Sequence, residues 1–159
     1  MAGALTWTCV PFDQLTVPQL YDALALRSEV FVVEQQCVFL DIDGIDPKGW
    51  HLMGYDQAGQ LMAYARLLPP GVKAADAVIG RVVTSPASRG TGAGQALMRE
   101  AGVQCERLWP GHPITLHAQA RLERFYQGHG YMTVSEPYDE DGIDHIEMRK
   151  QNNAQETQQ

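Results

Sequence analysis

Three alternate glycines, Gly90, Gly92 and Gly94, stand directly behind Arg89, between a β-rich run and a helix-forming run. Ala77–Thr84 is rich in β-branched residues and reads as a strand. Pro86 ends it, and Gln95–Trp109 then reads as a helix with Ala96, Leu97, Ala101, Val103, Cys105 and Leu108 as buried candidates. Glycine lets the backbone take positive φ and approach a ligand closely. The first amides of a helix have no internal acceptor and lie at the positive end of its dipole. A strand, a glycine turn and a helix start together predict an anion site suited to a pyrophosphate. Arg89 adds a fixed positive charge beside it.

The phosphate ligand is narrowed by what the turn lacks. No Gly-Lys-Ser/Thr follows, which excludes a Walker loop. A dinucleotide fold is the rival, because Gly90-Thr-Gly92 after a strand looks like the start of GxGxxG. Three features count against it. The third glycine comes one place too early. The turn follows an expected antiparallel hairpin rather than opening a βαβ unit. No acidic residue ends the next strand, Ile114–Ala118, to hold a ribose hydroxyl.

Around this segment the chain alternates strands and helices. Leu5–Val10 is strand-like. Thr16 caps a helix with Pro18 in its first turn and Leu20, Leu24, Leu26, Val30 and Phe31 along it. Trp50–Tyr55 and Gln60–Leu67 form a hairpin about Asp56–Gly59. After Ile114–Ala118 come a helix over Gln119–Gln127, a strand over Tyr131–Val134, a polar loop over Glu136–Asp144 and a last strand, Ile143–Arg149. The expected fold class is α/β (α+β): one domain over residues 5–150, a mixed, mostly antiparallel sheet flanked by helices. Residues 151–159 read as a disordered polar tail.

Composition removes several functions. With 12 Lys and Arg against 19 Asp and Glu, the net charge of −7 argues against a nucleic-acid partner. No apolar run is long enough to span a bilayer, so no membrane role is expected and the default address is the cytoplasm. Cys9, Cys37 and Cys105 are odd in number and widely spaced, which speaks against a disulfide framework or a structural metal site. Cys9 and Cys105 read as small core residues. Cys37 has no base beside it in sequence that would activate it.

Arg89-Gly-Thr-Gly92-Ala-Gly94, with Pro86 three residues before it, resembles the R/Q-x-x-G-x-G/A signature of the GNAT superfamily of N-acetyltransferases. Phe125-Tyr126-Gln-Gly-His-Gly130-Tyr131 resembles that family's second motif. Arg27 to Cys37, Asp41-Ile-Asp-Gly44, Asp46, His51-Leu52 and Asp139 to His145 are similar to its ElaA-like branch. The resemblance implies a sheet whose fourth and fifth strands splay apart to admit acetyl-CoA. It implies transfer of an acyl group to a primary amine by direct attack, without a metal. Arg89, Gly90, Thr91, Gly92, Ala93 and Gly94 would hold the pyrophosphate. The backbone of Val82, Val83 and Thr84 would pair with the pantetheine arm. Gln119 stands where many relatives carry Asn for a further contact to that arm. Tyr126 would be the general acid toward the departing thiolate.

Amine attack also requires a proton acceptor. Glu34, His51, His117, Asp141 and His145 are the candidates, with Glu34 and His145 leading and a relayed water as the alternative. Glu34, His51, Asp141 and His145 are the expected acceptor-binding residues. Asp41, Asp43 and Asp46, with the acidic run Asp139–Asp144, read either as attractors of an ammonium group or as ordinary turn residues. The acceptor is a small-molecule or peptide amine, and a homodimer is compatible with the pattern. The other readings are a non-catalytic acyl-CoA-binding module of the same fold and a nicotinamide-dinucleotide oxidoreductase.

Overall fold

A computed structural model describes residues 4–151. The expectation of a disordered tail concerns residues 152–159, outside the described ones. The chain runs β1 (Thr6–Pro11), α1 (Val17–Arg27), β2 (Trp50–Tyr55), β3 (Leu61–Leu68), β4 (Ala77–Thr84), α2 (Ala93–Leu108), β5 (Ile114–Gln119), α3 (Glu123–Gln127), β6 (Met132–Thr133), β7 (Tyr138–Glu140) and β8 (Ile143–Lys150). The sheet order is β1-β2-β3-β4-β5-β8-β6, with β7 also paired to β8. All described pairings are antiparallel except β4 with β5. The expected α/β, mostly antiparallel architecture is therefore present.

Two layers of helix cover the sheet, and strand alternation explains both. On β3, Ala63, Ala65 and Leu67 face one side, where α2 lays down Leu97, Met98, Ala101 and Cys105. Tyr64 faces the other side and meets Ala23, Leu26 and Val30 from the first helical segment. Val103 is a correction. It is exposed, because it sits two places, roughly 200°, from Ala101 on a helix. Ala96 and Leu108 are only half-buried.

Helix α1 starts as its sequence dictates. The Thr16 hydroxyl accepts from the Gln19 amide at 3.2 Å, and the Gln19 side chain accepts from the Thr16 amide at 2.9 Å. Its C-terminal continuation, Ser28–Glu34, is wound as a π-helix, a form often found near functional sites. The helix expected over Gln119–Gln127 is shorter: β5 extends to Gln119, a 3-10 turn covers Ala120–Leu122, and α3 holds only five residues. The polar loop expected over Glu136–Asp144 contains strand β7, paired with β8 through Tyr138↔His145.

Two irregularities in β4 position the site. Arg81 has φ of 49°, and the β3–β4 register slips between Tyr64 and Arg66, so β4 carries a bulge there. On its other side, β4 pairs with β5 only through Ala77↔Ile114 and Val78↔Thr115. Beyond Val78 the strands part. The expected splay of the fourth and fifth strands is thus present, and it leaves the Gly80–Thr84 edge without ladder bonds on that side. One sequence argument is overturned: β4–α2–β5 is a parallel strand–helix–strand unit. What separates it from a dinucleotide-binding sheet is the early parting of its strands.

Candidate active site

The gap between β4 and β5 opens into a cavity of about 740 Å³. It brings together Glu34, Val82, Val83, Thr84, Arg89, Gln119, Tyr126, Asp141 and His145. These are expected site residues from five separated parts of the chain. The glycine turn lies beyond Arg89 and does not line the cavity itself. Gly92 is the N-cap of α2, with φ of 86° and no side-chain cap. Gly90 also has positive φ, at 80°. A Cβ on either residue would meet no atom within 4 Å. These glycines are therefore required by backbone conformation, not by crowding within the protein, and the amides opening α2 are left facing outward. Arg89, Thr91 and Ala93 complete the turn. The Thr91 hydroxyl is bonded to the Ser88 carbonyl, and Ala93 is buried against the core.

Tyr126 is buried, and its ring meets Phe125 and Tyr131 edge-on. Burial pushes its phenol up to about 12, with a smaller opposing effect from Arg121. The hydroxyl therefore holds its proton at neutral pH. Tyr126 lines the cavity.

The five candidate bases separate by their hydrogen bonds. The His145 Nδ1 lies 2.8 Å from the Ile143 carbonyl, which can only accept. Nδ1 therefore carries a proton, and Nε2 lies 3.5 Å from a Glu140 carboxylate oxygen. Glu34 instead is held by Arg89 in a bidentate pair of 2.6 and 2.7 Å. The Arg89 hydrogen bonds hold its carboxyl below the usual range, which weakens it as a base. His117 places Nδ1 3.1 Å from the Tyr138 hydroxyl, and burial lowers its pKa, followed by the effect of Lys73. Asp141 sits at the β7–β8 turn with positive φ, and its carbonyl accepts from the Cys37 thiol.

His51 is a correction. It is 1% exposed and does not line the cavity. Its Nε2 donates to the Asp46 carbonyl at 3.0 Å, so Nδ1 accepts from the Tyr64 hydroxyl at 2.7 Å. Both nitrogens are consumed, and burial lowers the pKa further below its ordinary value. His51 is a structural residue and has no acceptor to bind.

The aspartates 41, 43 and 46 are a second correction, because arginines neutralise them. Arg27 binds Asp41 at 2.8 Å and Asp46 at 2.9 Å. Arg66 binds Asp43 at 2.9 Å and Asp46 at 2.8 Å. Arg81 binds Asp41 at 2.8 Å and Asp43 at 3.3 Å. Arg27 and Arg66 are almost fully buried. Three acids and three bases thus form one network that pins the loop carrying Phe39 and Leu40 against the sheet. The missing signal was the partners: Arg66 and Arg81 lie inside strands, where nothing in the local pattern marks them.

Gln119 donates to the Gln35 side chain at 3.3 Å and accepts from Arg121 Nε at 3.1 Å. It is at the expected place but is engaged with its neighbours. Of the cysteines, Cys105 is buried and burial pushes its thiol up to about 12; burial likewise raises Cys9 to about 11. Neither is a nucleophile at neutral pH. Among the described residues no group of three or more His, Cys, Asp or Glu could hold a metal ion, and no helix is long and apolar enough to cross a membrane.

A family model described as an acetyltransferase (GNAT) domain matches residues 31–152. The chain belongs to the GNAT acetyltransferase family. ElaA of Escherichia coli is 44% identical over 149 residues, covering 92% of this chain and 97% of that protein. A UPF0039 protein of Synechocystis is 42% identical over 144 residues, covering 91% and 94%. Among solved structures, an acyl-CoA N-acyltransferase from Pseudomonas aeruginosa superposes with a TM-score of 0.87 at 47% identity, covering 92% of this chain and 99% of that one. The crystal structure of E. coli ElaA gives 0.86 at 43% identity, with the same coverages. Both the GNAT assignment and the ElaA-like affinity expected from the motifs are therefore shown, and the mixed sheet is the GNAT fold.

Proposed function

We propose that this GNAT protein transfers an acetyl group from acetyl-CoA to a primary amine by direct attack in a ternary complex. The observation that carries the reading is the parted edge of β4, which leads from the glycine turn at Arg89 to the buried Tyr126 hydroxyl. Open strand edges are ready to take a further extended partner. The residues present fit the donor: Arg89 and the α2 amides offer charge and donors to a diphosphate, and Val82–Thr84 offer a backbone edge to an amide-bearing arm.

The bound thioester supplies an activated acyl carbon. The chain's own groups manage protons and charge around it. His145 takes the proton that the amine nitrogen releases as its bond to the acyl carbon forms. Glu140 stands beside His145, 3.5 Å from Nε2. Backbone donors on the β4 edge face the oxygen that gains negative charge. Tyr126 gives its proton to the sulfur as the carbon–sulfur bond breaks, so the products leave as a neutral amide and a thiol. Glu34 is not the base in this arrangement, because its carboxylate is committed to Arg89. The acceptor is a small-molecule or peptide amine.

Thiol release from acetyl-CoA over an amine panel tests this directly. Tyr126→Phe should lower kcat by about a hundredfold while donor affinity stays unchanged. Donor binding without turnover of any amine, or an unchanged kcat in Tyr126→Phe, would contradict the catalytic reading. The first result would leave an acyl-CoA-binding module.

A further inference from the structure

Three of the four Lys and Arg side chains lining the cavity have a hydrogen-bonded partner. Arg81 is held by Asp41 and Asp43, Arg89 by Glu34, and Arg121 bonds Gln119. Lys73 also lines the cavity, and it makes no hydrogen bond or ion pair among the described residues. It comes from the exposed turn between β3 and β4 and lies within electrostatic range of Asp43, His117 and Glu140, which also line the cavity. Burial lowers its pKa, followed by the charges of Arg66 and Arg81, while Glu140 and Asp43 act in the opposite direction; among the described residues neither carboxylate closes an ion pair with it. Its charge in turn is felt at His117, together with those of Glu147, Glu140 and His145.

Apolar side chains, among them Phe31, Phe39, Leu40 and Ile143, share the lining. Phe39 is steadied by the Arg81 guanidinium, 5.8 Å from its ring centroid. A cavity of 740 Å³ that must also take the donor's arm is of small-ligand size. It therefore offers a proton-accepting group at His145 beside Glu140, the ammonium group of Lys73, and aromatic and aliphatic side chains in the same lining.

We infer that the acceptor is a small apolar amino acid, its amine at His145 and Glu140, its carboxylate on Lys73 and its side chain along Phe31 and Phe39. This rests on the acyl-transfer reading and narrows its acceptor from any amine to an amino-carboxylate. A carboxylate on an ammonium group is a charge-assisted contact, stronger than its neutral counterpart. The amide of the same amino acid keeps the amine and the side chain and lacks only the charge.

Binding of the twenty amino acids, their amides and 3-methylbutylamine to the CoA-loaded protein tests the site, by equilibrium dialysis and by thermal shift. Thiol release with acetyl-CoA is followed in parallel. The expected result is that an apolar amino acid such as leucine binds about tenfold more tightly than leucinamide. Lys73→Met should bring that ratio close to one, and Lys73→Arg should largely preserve it. No amino acid binding better than its amide, or a ratio untouched by Lys73→Met, would overturn the inference. Turnover of 3-methylbutylamine alongside either of those results would uphold acyl transfer and sink only this acceptor class. Selective binding of an amino acid with no turnover would do the reverse.

Discussion

Replacing Asp46 by asparagine should destabilise the protein more than any change at the cavity rim. Asp46 is 4% exposed, and its Oδ1 receives Arg27 at 2.9 Å and Arg66 at 2.8 Å. Burial acts to raise its pKa, but the hydrogen bonds from the two arginines outweigh that and hold it below the usual range. Asparagine keeps the shape and removes the charge. Two buried guanidinium groups would then share Asp41 and Asp43. Removing one partner of a buried pair costs about 3–5 kcal/mol. Because two aspartates remain, the lower end, about 3 kcal/mol, is expected. For a chain of 159 residues that corresponds to a fall in Tm of roughly 6–12 °C. Urea and thermal denaturation of the two proteins would measure it. A loss below about 1 kcal/mol, the range of an exposed pair, would refute the claim that this network anchors the cavity wall.

Other outcomes follow from the same charges. Asp43 and Asp46 both have folded pKa values below their unfolded ones. The stability they contribute is present above the unfolded value of about 4 and is lost as pH falls through the lower folded values. Denaturation curves should thus hold steady from neutral pH down to about 5 and weaken below about 4; a flat profile to pH 2 would contradict the pairing. Glu34→Gln should tighten donor binding by roughly twofold to fivefold, because it frees Arg89 from an exposed competitor. Calorimetry showing weaker binding would mean that Glu34 helps the donor rather than competing with it.

The fold was largely legible because its strands carry strong patterns. Trp50–Tyr55 and Ala77–Thr84 are strands at the expected limits. Alternation and β-branched residues suffice to mark them. The short elements escaped for physical reasons. β7 has three residues, Tyr138 to Glu140, two of them acidic, and exists only because β8 is there to pair with it. The π-helical winding of Ser28–Glu34 and the Arg81 bulge depend on tertiary partners and have no local code. The site followed the same division. Arg89, the glycine turn and Tyr126 were marked by spacing and resemblance. The role of an individual polar residue was not, because it depends on where its hydrogen bonds go. His51 and His145 are alike as sequence letters. One spends both nitrogens inside the protein, and the other spends one on a carbonyl and sets the second beside Glu140 in the cavity lining. Asp41, Asp43 and Asp46 were visible as acids, but Arg27, Arg66 and Arg81 lie 14 to 40 residues from the partners they neutralise.

Titration calorimetry of acetyl-CoA with the wild-type protein and Gly92→Val is the most direct measurement, with thermal denaturation confirming that both are folded. Valine at a φ of 86° would force the α2 entry out of shape and turn its amides away. The expected result is one donor bound per chain in the wild type and at least about tenfold weaker binding in the variant. No heat with the wild type, or equal affinity in the folded variant, would contradict it.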